Sequence, residues 1–391
     1  MIDSPPCLWR CILLPESFIG WYSLIFLLWS FWIAFISVPN IIWTFFKTKK
    51  PVRKDGPRVS VLIPCRNEED NISRCLNHLL KQDYQNYEIC VLDDNSEDAT
   101  WEIISNYADK HENIRVFQGR PLPEDWNGYP HAMHQLAEKA DGEILLFTDA
   151  DTVHAETSVS WGVTNLLHHD VDYVSGYTRQ IFASISDAIV VINLFLNTVM
   201  LLPVWLVKPT KSPSLAMALG QYMCFRKESY FRYGGFEVVK NKITCDVYMA
   251  RELKRQGGKQ IFLDVKDQVS CSMYHSFREA VVGLSRNIYD FFERKAYPVY
   301  VLIPFIFLFM FSPPFVALGL LIAGVTIPQA LLLGLVVFFS VWVMVFIDRK
   351  VPWYAVLLFP LQMGVLIYIA WSSVYNQQSG RGHIWKGRKF L

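Results

Sequence analysis

The sequence has no surplus of either charge: 37 Lys and Arg face 36 Asp and Glu over 391 residues. A general nucleic-acid binder carries a dominant basic footprint, so that class is excluded and no nucleic-acid partner is expected. The eight cysteines form no CxxC pair and no metal-ligand spacing, and Cys65, Cys90 and Cys224 sit in apolar surroundings. Such usage argues for reduced, buried thiols in a cytosol-facing domain. Charge is also missing locally. From Ser17 to Phe46 no residue is formally charged, and about 20 apolar residues suffice to cross the hydrocarbon core. The run is too long for a secretory signal peptide, and its start lacks a basic segment. It reads as a retained anchor, residues 1–50. The cluster KTKKPVRK, Lys47 to Lys54, follows at once and marks the cytoplasmic side.

A second uncharged run covers Ala296 to Ile347, with room for two spans and a break near Gly324 to Gln329. Asp348, Arg349 and Lys350 interrupt it. Val351 to Gly380 offers one more span before a basic tail ending HIWKGRKFL. Three crossings from a cytoplasmic domain would leave that tail outside, against the positive-inside tendency. Either one segment lies in the interface or re-enters, or the tail is an exception. The expected division is an anchor at 1–50, a soluble-type domain at 51–297 and C-terminal transmembrane segments with the basic tail at 298–391. That makes an integral membrane protein with its central domain on the cytoplasmic face.

Between the apolar ends, VSVLIPC (Val59 to Cys65) and YEICVLDD (Tyr87 to Asp94) are short runs rich in β-branched residues that end in polar ones. Ile72, Leu76, Leu79 and Leu80 recur between them at the helical period. Strand, helix and strand in that order make a βαβ unit and a parallel sheet. DATWEIISNYADKH continues as a helix, IRVFQ as a strand, and HAMHQLAEKADG as a helix leading into EILLFTDAD. Open α/β sheets bind ligands at the carboxyl ends of their strands, where each of these polar motifs falls. Asp149 and Asp151 therefore emerge where a ligand would lie. Paired carboxylates favour hard divalent cations such as Mg²⁺ or Mn²⁺, which also bind phosphate oxygens. Taken alone, the same residues serve equally as a surface turn or a helix cap.

The motifs VSVLIPCRNEEDNI, VLDDNSEDAT, GEILLFTDADT and GGFEVVKNKITCDVYMARELKRQG, in this order, resemble those of the inverting family-2 glycosyltransferases of the GT-A fold. One N-terminal anchor, three C-terminal hydrophobic segments and the final WKGR are similar to the membrane-bound branch that glycosylates lipids, including ceramide glucosyltransferases and the carotenoid- and hopanoid-associated enzymes. The resemblance implies an α/β, Rossmann-like catalytic domain with a mostly parallel sheet. It assigns the nucleoside to Pro64, Arg66, Asn67, Glu68, Asp93 and Asp94, the sugar or ribose to Asp149, and the metal to Asp151 with Asp149. It also implies a catalytic base in a Glu-Asp pair, which here reads Cys245-Asp246, so the Asp is kept and the Glu is lost. Asp246 is also a natural helix N-cap. Many relatives carry Gly-Lys before the DxD helix; here Tyr129 follows Gly128, and Arg120 or His131 are the candidate replacements for that charge. The QxxRW motif of processive synthases is absent. GLSRNIYDF, Gly283 to Phe291, stands in its place, and Arg286 there fits diphosphate oxygens, a lipid headgroup or a solvated face.

Ala188 to Val207 has the length of a span, but a crossing there would separate Asp151 from Asp246 by the bilayer. An interfacial helix near 183–207 keeps them together and gives a lipid acceptor a path to the site; a buried core helix is the plainer alternative. Gln221 and Tyr222 line the acceptor side or merely pack, and Trp385 to Arg388 suits a membrane interface or a phosphate. The expected function is a hexosyltransferase that moves one sugar from a nucleotide-diphosphate donor, with a uridine one expected, to a membrane lipid hydroxyl. A processive polysaccharide synthase and a non-catalytic membrane adaptor with a nucleotide-binding fold are the alternatives.

Overall fold

The computed structural model describes residues 17–50, 53–182, 184–274, 276–381, 383–385 and 388–390. Lys386 and Gly387 of the tail motif lie outside the described residues. The β-branched runs form the strands β1 (Val59–Cys65), β2 (Tyr87–Asp93), β3 (Ile114–Gln118), β4 (Ile144–Phe147), β5 (Thr152–His154), β6 (Tyr173–Tyr177), β7 (Arg179–Gln180), β8 (Met223–Arg226), β9 (Gln260–Asp264) and β10 (Val269–Cys271). Seven of them make one sheet in the order β3-β2-β1-β4-β8-β6-β9, and β5-β10-β7 make a smaller one. β1 pairs in parallel with both β2 and β4, whereas β8 runs antiparallel between β4 and β6. The sheet grows outward from β1 to β3, then resumes on the other side of β1 with β4. That reversal opens a crevice at the carboxyl ends of β1 and β4.

The helices α1 (Phe18–Lys47), α2 (Ile72–Leu79), α3 (Thr100–Ala108), α4 (Gly128–Lys139) and α5 (Ser158–His168) come next in the inventory of the N-terminal half. Alternation along β1 divides the core between the two faces of the sheet. Val61 and Ile63 pack with Ile72, Leu76 and Ile104 of α2 and α3, while Leu62 packs with Met133 and Leu136 of α4. Each of these side chains is fully buried, which stabilises the fold by about 1.5–3 kcal/mol apiece. Six cysteines among the described residues are free and buried, as the sequence implied.

The expected interfacial helix is broken into α6 (Ile185–Val190), α7 (Ile192–Phe195) and a π-turn at Leu196–Met200. Asn40 of α1 holds its end, donating to the carbonyls of Val199 and Leu202 at 2.8 Å each. After α8 (Lys227–Arg232), α9 (Cys245–Arg255) and α10 (Phe277–Phe291), the C-terminal third holds α11 (Tyr297–Ile306), α12 (Pro313–Ile322), α13 (Gln329–Asp348) and α14 (Phe359–Gln378). Among the described residues, three helical stretches are long and apolar enough to cross a membrane: Phe18–Lys47, Gln329–Asp348 and Trp353–Gln378. A fourth, Tyr297–Phe311 with Pro313–Ile322, is bent by 47°, so the run from Ala296 breaks at Ser312 as well as near Gly324. α13 lies close along α1, where a Cβ at Gly334 would meet the Phe26 ring at 2.9 Å. The foot of α13 is tied to the large sheet: Arg349 reaches Asp264 at 2.7 Å and Lys266 reaches Asp348 at 2.9 Å.

Candidate active site

Two loops at the ends of β1 and β2 are zipped together by their own polar residues. Arg66 donates to the carbonyls of Asp94 and Asn95 at 2.7 and 2.9 Å. The Asn67 N–H donates to Ser96 Oγ, and Glu97 N–H to Asn67 Oδ1. Both Asn67 and Asn95 have left-handed backbones (φ 52° and 57°), a conformation asparagine tolerates better than most residues. The zipped loops wall a cleft of about 380 Å³ lined by Pro64, Arg66, Asn67, Glu68, Asp94, Asp149, Asp151, Gln221 and Arg286 among others. Asp93 is not in this lining. Its carboxylate is buried and accepts from Ser96 N–H at 3.3 Å, so the structure gives it the turn role and leaves the cleft to Asp94.

The Asp149-Ala150-Asp151 turn follows β4 directly. Thr152 fixes it, donating through its hydroxyl to the Asp149 carbonyl at 2.7 Å. Tyr129, in the first turn of α4, donates its phenol to Asp149 Oδ1 at 2.8 Å. Burial, and then the neighbouring Asp149 charge, push the Tyr129 phenol well above its ordinary pKa of 10.0, so it stays a neutral donor. Neither candidate for the missing lysine charge is in the cleft. Arg120 turns away to Gln135 and Glu138, and His131 is buried against Trp126 and Gln135. Tyr129 occupies the cleft instead and holds a carboxylate rather than supplying a cation.

Asp246 sits in the first turn of α9, and the N-cap position belongs to Thr244. The N-cap expectation is therefore displaced by two residues. The Asp246 carboxylate accepts from Val247 N–H at 2.8 Å and, across the chain, from Gly220 N–H at 2.9 Å. Burial raises its pKa above 3.8, and those two backbone donors pull it only part of the way back. Cys245, where relatives have Glu, is buried with its thiol raised well above 9.0 by burial and by Asp246. The loop before α9 is held from α10: Asp290 Oδ2 accepts from Ile243 N–H, Thr244 N–H and Thr244 Oγ1 at 3.0, 2.8 and 2.9 Å. Asp290 went unread in the sequence. The signal was there, as an acid one helical turn after Arg286 on a face that is otherwise buried.

Asp246 faces a second space. A cavity of about 600 Å³ is lined by Asn193, Leu194, Met217, Leu284, Ile288 and Leu366, with Asp246 and Arg251 at its polar end. Its walls come from α7, α10, α11 and α14, the elements nearest the apolar spans. Gly220 lies between a residue of each space: a Cβ there would lie 3.4 Å from the oxygen of Tyr129, which lines the cleft, and 3.7 Å from Oδ2 of Asp246, which lines the cavity. Gln221 lines the cleft beside it, while Tyr222 packs in the core and donates to the Ser158 carbonyl. Arg286 of α10 lines the cleft, and burial lowers its pKa below 12.5. Arg286 and Arg66 thus line the same cleft as the paired carboxylates.

The donor set admits a divalent cation of one kind. Asp149 and Asp151 offer hard oxygens, yet no group of three or more His, Cys, Asp or Glu suited to a metal exists among the described residues. One or two carboxylates with the remaining positions left to phosphate and water is the pattern of Mg²⁺-type sites, and the cleft fits such an ion on those terms.

Residues 60–232 match the family model described as Glycosyl transferase family 2. The chain carries a family-2 glycosyltransferase domain. Glycosyltransferase AglE of Haloferax volcanii is 33% identical over 122 residues, 31% of this chain and 39% of its own length. Beta-monoglucosyldiacylglycerol synthase of Nostoc sp. is 31% identical over 105 residues, 26% of this chain and 22% of its own. The glycosyltransferase domain thus aligns with under half the length of these curated relatives. The mannosyltransferase PcManGT from Pyrobaculum calidifontis, solved with GDP-Man and Mn²⁺, superposes with a TM-score of 0.55 at 18% identity, covering 91% of this chain and 99% of that one. The glycosyltransferase domain has the GT-A fold: an α/β layer structure on a mostly parallel sheet, with apolar helices at both ends of the chain that are candidate spans.

Proposed function

We propose that the protein is an inverting hexosyltransferase that moves one sugar from a nucleotide-diphosphate donor, a uridine one, to a hydroxyl of a membrane lipid. The observation that carries this reading is the nearness of two chemically different spaces on either side of Gly220, a cleft lined by Tyr129, Asp149 and Asp151 and a mostly apolar cavity lined by Asp246. The division into an anchor (1–50), a glycosyltransferase domain (51–297) and a C-terminal membrane region (298–391) belongs to the same proposal. So does a cytoplasmic catalytic face, motivated by the basic residues after α1.

Pro64, Arg66, Asn67, Glu68 and Asp94 hold the nucleoside in this scheme, with Asp94 accepting from ring N–H or ribose hydroxyls. Asp151, with Asp149, would hold Mg²⁺ or Mn²⁺. Such an ion supplies positive charge to a leaving diphosphate. Asp149, oriented by Tyr129, faces the sugar. The lipid lies in the apolar cavity with its hydroxyl toward Asp246. The acceptor oxygen forms a bond to the anomeric carbon from the face opposite the leaving group, the carbon–phosphate oxygen bond breaks, and its electron pair stays on the diphosphate. The hydroxyl proton passes to the Asp246 carboxylate, whose raised pKa makes it a better acceptor near neutrality. Arg286 faces the charge that develops on the phosphates.

The test uses purified full-length protein in lipid nanodiscs with Mn²⁺, a panel of nucleotide sugars and a total lipid extract. A glycolipid that forms only with the wild-type chain supports the reading. No donor consumption across the panel overturns it, and long polymeric product overturns transfer of a single sugar.

A further inference from the structure

Hydropathy makes Trp353–Gln378 a candidate span, though a less apolar one than α13, and its contacts tell against a crossing. Just before it, Arg349 and Lys350 are bonded to Asp264 and Asp267 of the catalytic domain at 2.7 and 2.8 Å. Along its length, Gln362 donates to the Ala188 carbonyl of α6 at 3.0 Å, Ile369 packs with Val190 and Leu284, and Ser373 Oγ accepts from Tyr289 N–H of α10 at 2.9 Å. At its end, Gln378 accepts from Tyr300 at the start of α11. The tail hairpin that follows, His383–Trp385 paired with Arg388–Phe390, packs its first strand on α10. From Gln362 to Ser373 a helix rises about 16 Å, half the hydrocarbon thickness. Over that whole distance it never leaves α6 and α10.

The opposite face points away from the protein: Leu357, Leu361, Tyr368, Trp371 and Tyr375 are 73, 56, 53, 49 and 41% exposed. Their spacing of three, four and seven residues makes one stripe. Trp and Tyr on such a stripe are the side chains of a bilayer interface, and the stripe is continuous with the outward apolar surface of α13, where Val336 and Ile347 are exposed.

We propose that α14 does not span the membrane but lies in the leaflet nearest the catalytic domain, its aromatic stripe in lipid and its inner face closing the apolar cavity. The bent α11–α12 segment then leads outward and α13 leads back, so two crossings return the chain, and the basic tail ends on the catalytic side. This inference stands independently of the reaction proposed above.

The test is labelling of full-length protein in sealed vesicles with a membrane-impermeant maleimide, in a background with Cys7 and Cys11 changed to serine. Three single variants report sides: Glu97→Cys on the catalytic domain, Val325→Cys in the α12–α13 turn, and Ser379→Cys after α14. Ser379→Cys is expected to label from the same side as Glu97→Cys, with Val325→Cys labelling from the other. Labelling of Ser379→Cys with Val325→Cys, or from both sides alike, overturns the proposal. If that variant does not fold, a protease-cleavable epitope fused after Leu391 of the otherwise unaltered chain gives the same answer. Cleavage from the catalytic side supports the placement, and cleavage from the opposite side refutes it.

Discussion

Tyr129→Phe removes one oxygen and keeps the ring, which meets Phe236 edge-on with centroids 6.4 Å apart. The deleted atom makes the 2.8 Å bond to Asp149 Oδ1, a neutral donor on a carboxylate. Hydrogen bonds to charged groups contribute about 1.5–3 kcal/mol. At about 1.4 kcal/mol per decade, kcat/KM for the nucleotide sugar should fall roughly 10- to 150-fold if Asp149 acts on the sugar. Because the phenol stays protonated across the working range, the loss should be the same at every pH between ~6 and 9. Affinity for the free nucleotide diphosphate, measured by calorimetry, should change little, since the nucleoside side of the cleft is built by β1 and β2. A double-mutant cycle with Asp149→Asn isolates the bond: the two losses should be far from additive. Wild-type kcat/KM in a folded Tyr129→Phe protein, or additive losses in the cycle, would refute the idea that Tyr129 works through Asp149.

Asp246→Asn should lower turnover by about 10²–10⁴-fold, the usual worth of a general base, while nucleotide binding by calorimetry persists. Asp246 must be ionised to accept a proton, and its pKa lies above 3.8, so the acid limb of kcat/KM should fall above that value; a limb at or below it argues against this base. Gly220→Ala should fold normally, since its Cβ would make contacts of only 3.4 and 3.7 Å, yet lose transfer to lipid while retaining nucleotide binding; unaffected product formation in the lipid assay would dismiss Gly220 as the junction. Arg349→Ala leaves Asp264 and Asp348 without their 98%-buried partner and should cost about 3–5 kcal/mol in thermal unfolding in detergent. Burial would raise the Asp264 pKa, but Arg349 and Lys266 outweigh it and hold it below 3.8. That pair's stabilisation is thus present above the unfolded carboxylate value and disappears as pH falls through the lower folded one, a dependence the Arg349→Ala protein should have largely lost.

The strands that frame the cleft were legible to within a residue because parallel strands buried on both faces read as unbroken β-branched runs with polar ends. Their order alone places the acidic turn at the carboxyl end of β4. What the pattern left undecided was side-chain direction at the point where a strand becomes a turn. Asp93 and Asp94 are neighbours, yet one caps its own loop and the other faces the cleft. Tyr129 was read as a lost cation because sequence spacing says what a position lacks, while its bond to Asp149 joins residues 20 apart through the fold. Asp290 and Gly220 owe their places to partners 46 and 26 residues away, beyond any local period. The helix at Trp353–Gln378 defeats hydropathy for another reason. On the proposed placement, a crossing helix and a helix laid between lipid and an apolar cavity score alike, and the polar ties along the helix and at its ends tell them apart.

Those ties bear on why the two spaces lie on either side of a residue without a side chain. Water competes with a lipid hydroxyl for an activated sugar, and the closing of a site against solvent is what suppresses that side reaction. Here the closure is built from one helix, α10. Its Arg286 faces the cleft, its Asp290 one turn later grips the loop that carries Asp246, and its outer face rests on α14. A lipid in the apolar cavity, which α10 lines through Leu284 and Ile288, would therefore meet the same element that holds the proposed base and the proposed phosphate-facing cation. Glycine at 220 puts no side chain between Tyr129 and Asp246, and the cavity is lined mostly by apolar side chains, with Arg251, Arg255, Glu293 and Lys295 among its polar ones. On this argument acceptor occupancy and catalytic alignment are one event, and a soluble alcohol too short to fill the cavity should be a poor acceptor however nucleophilic its hydroxyl.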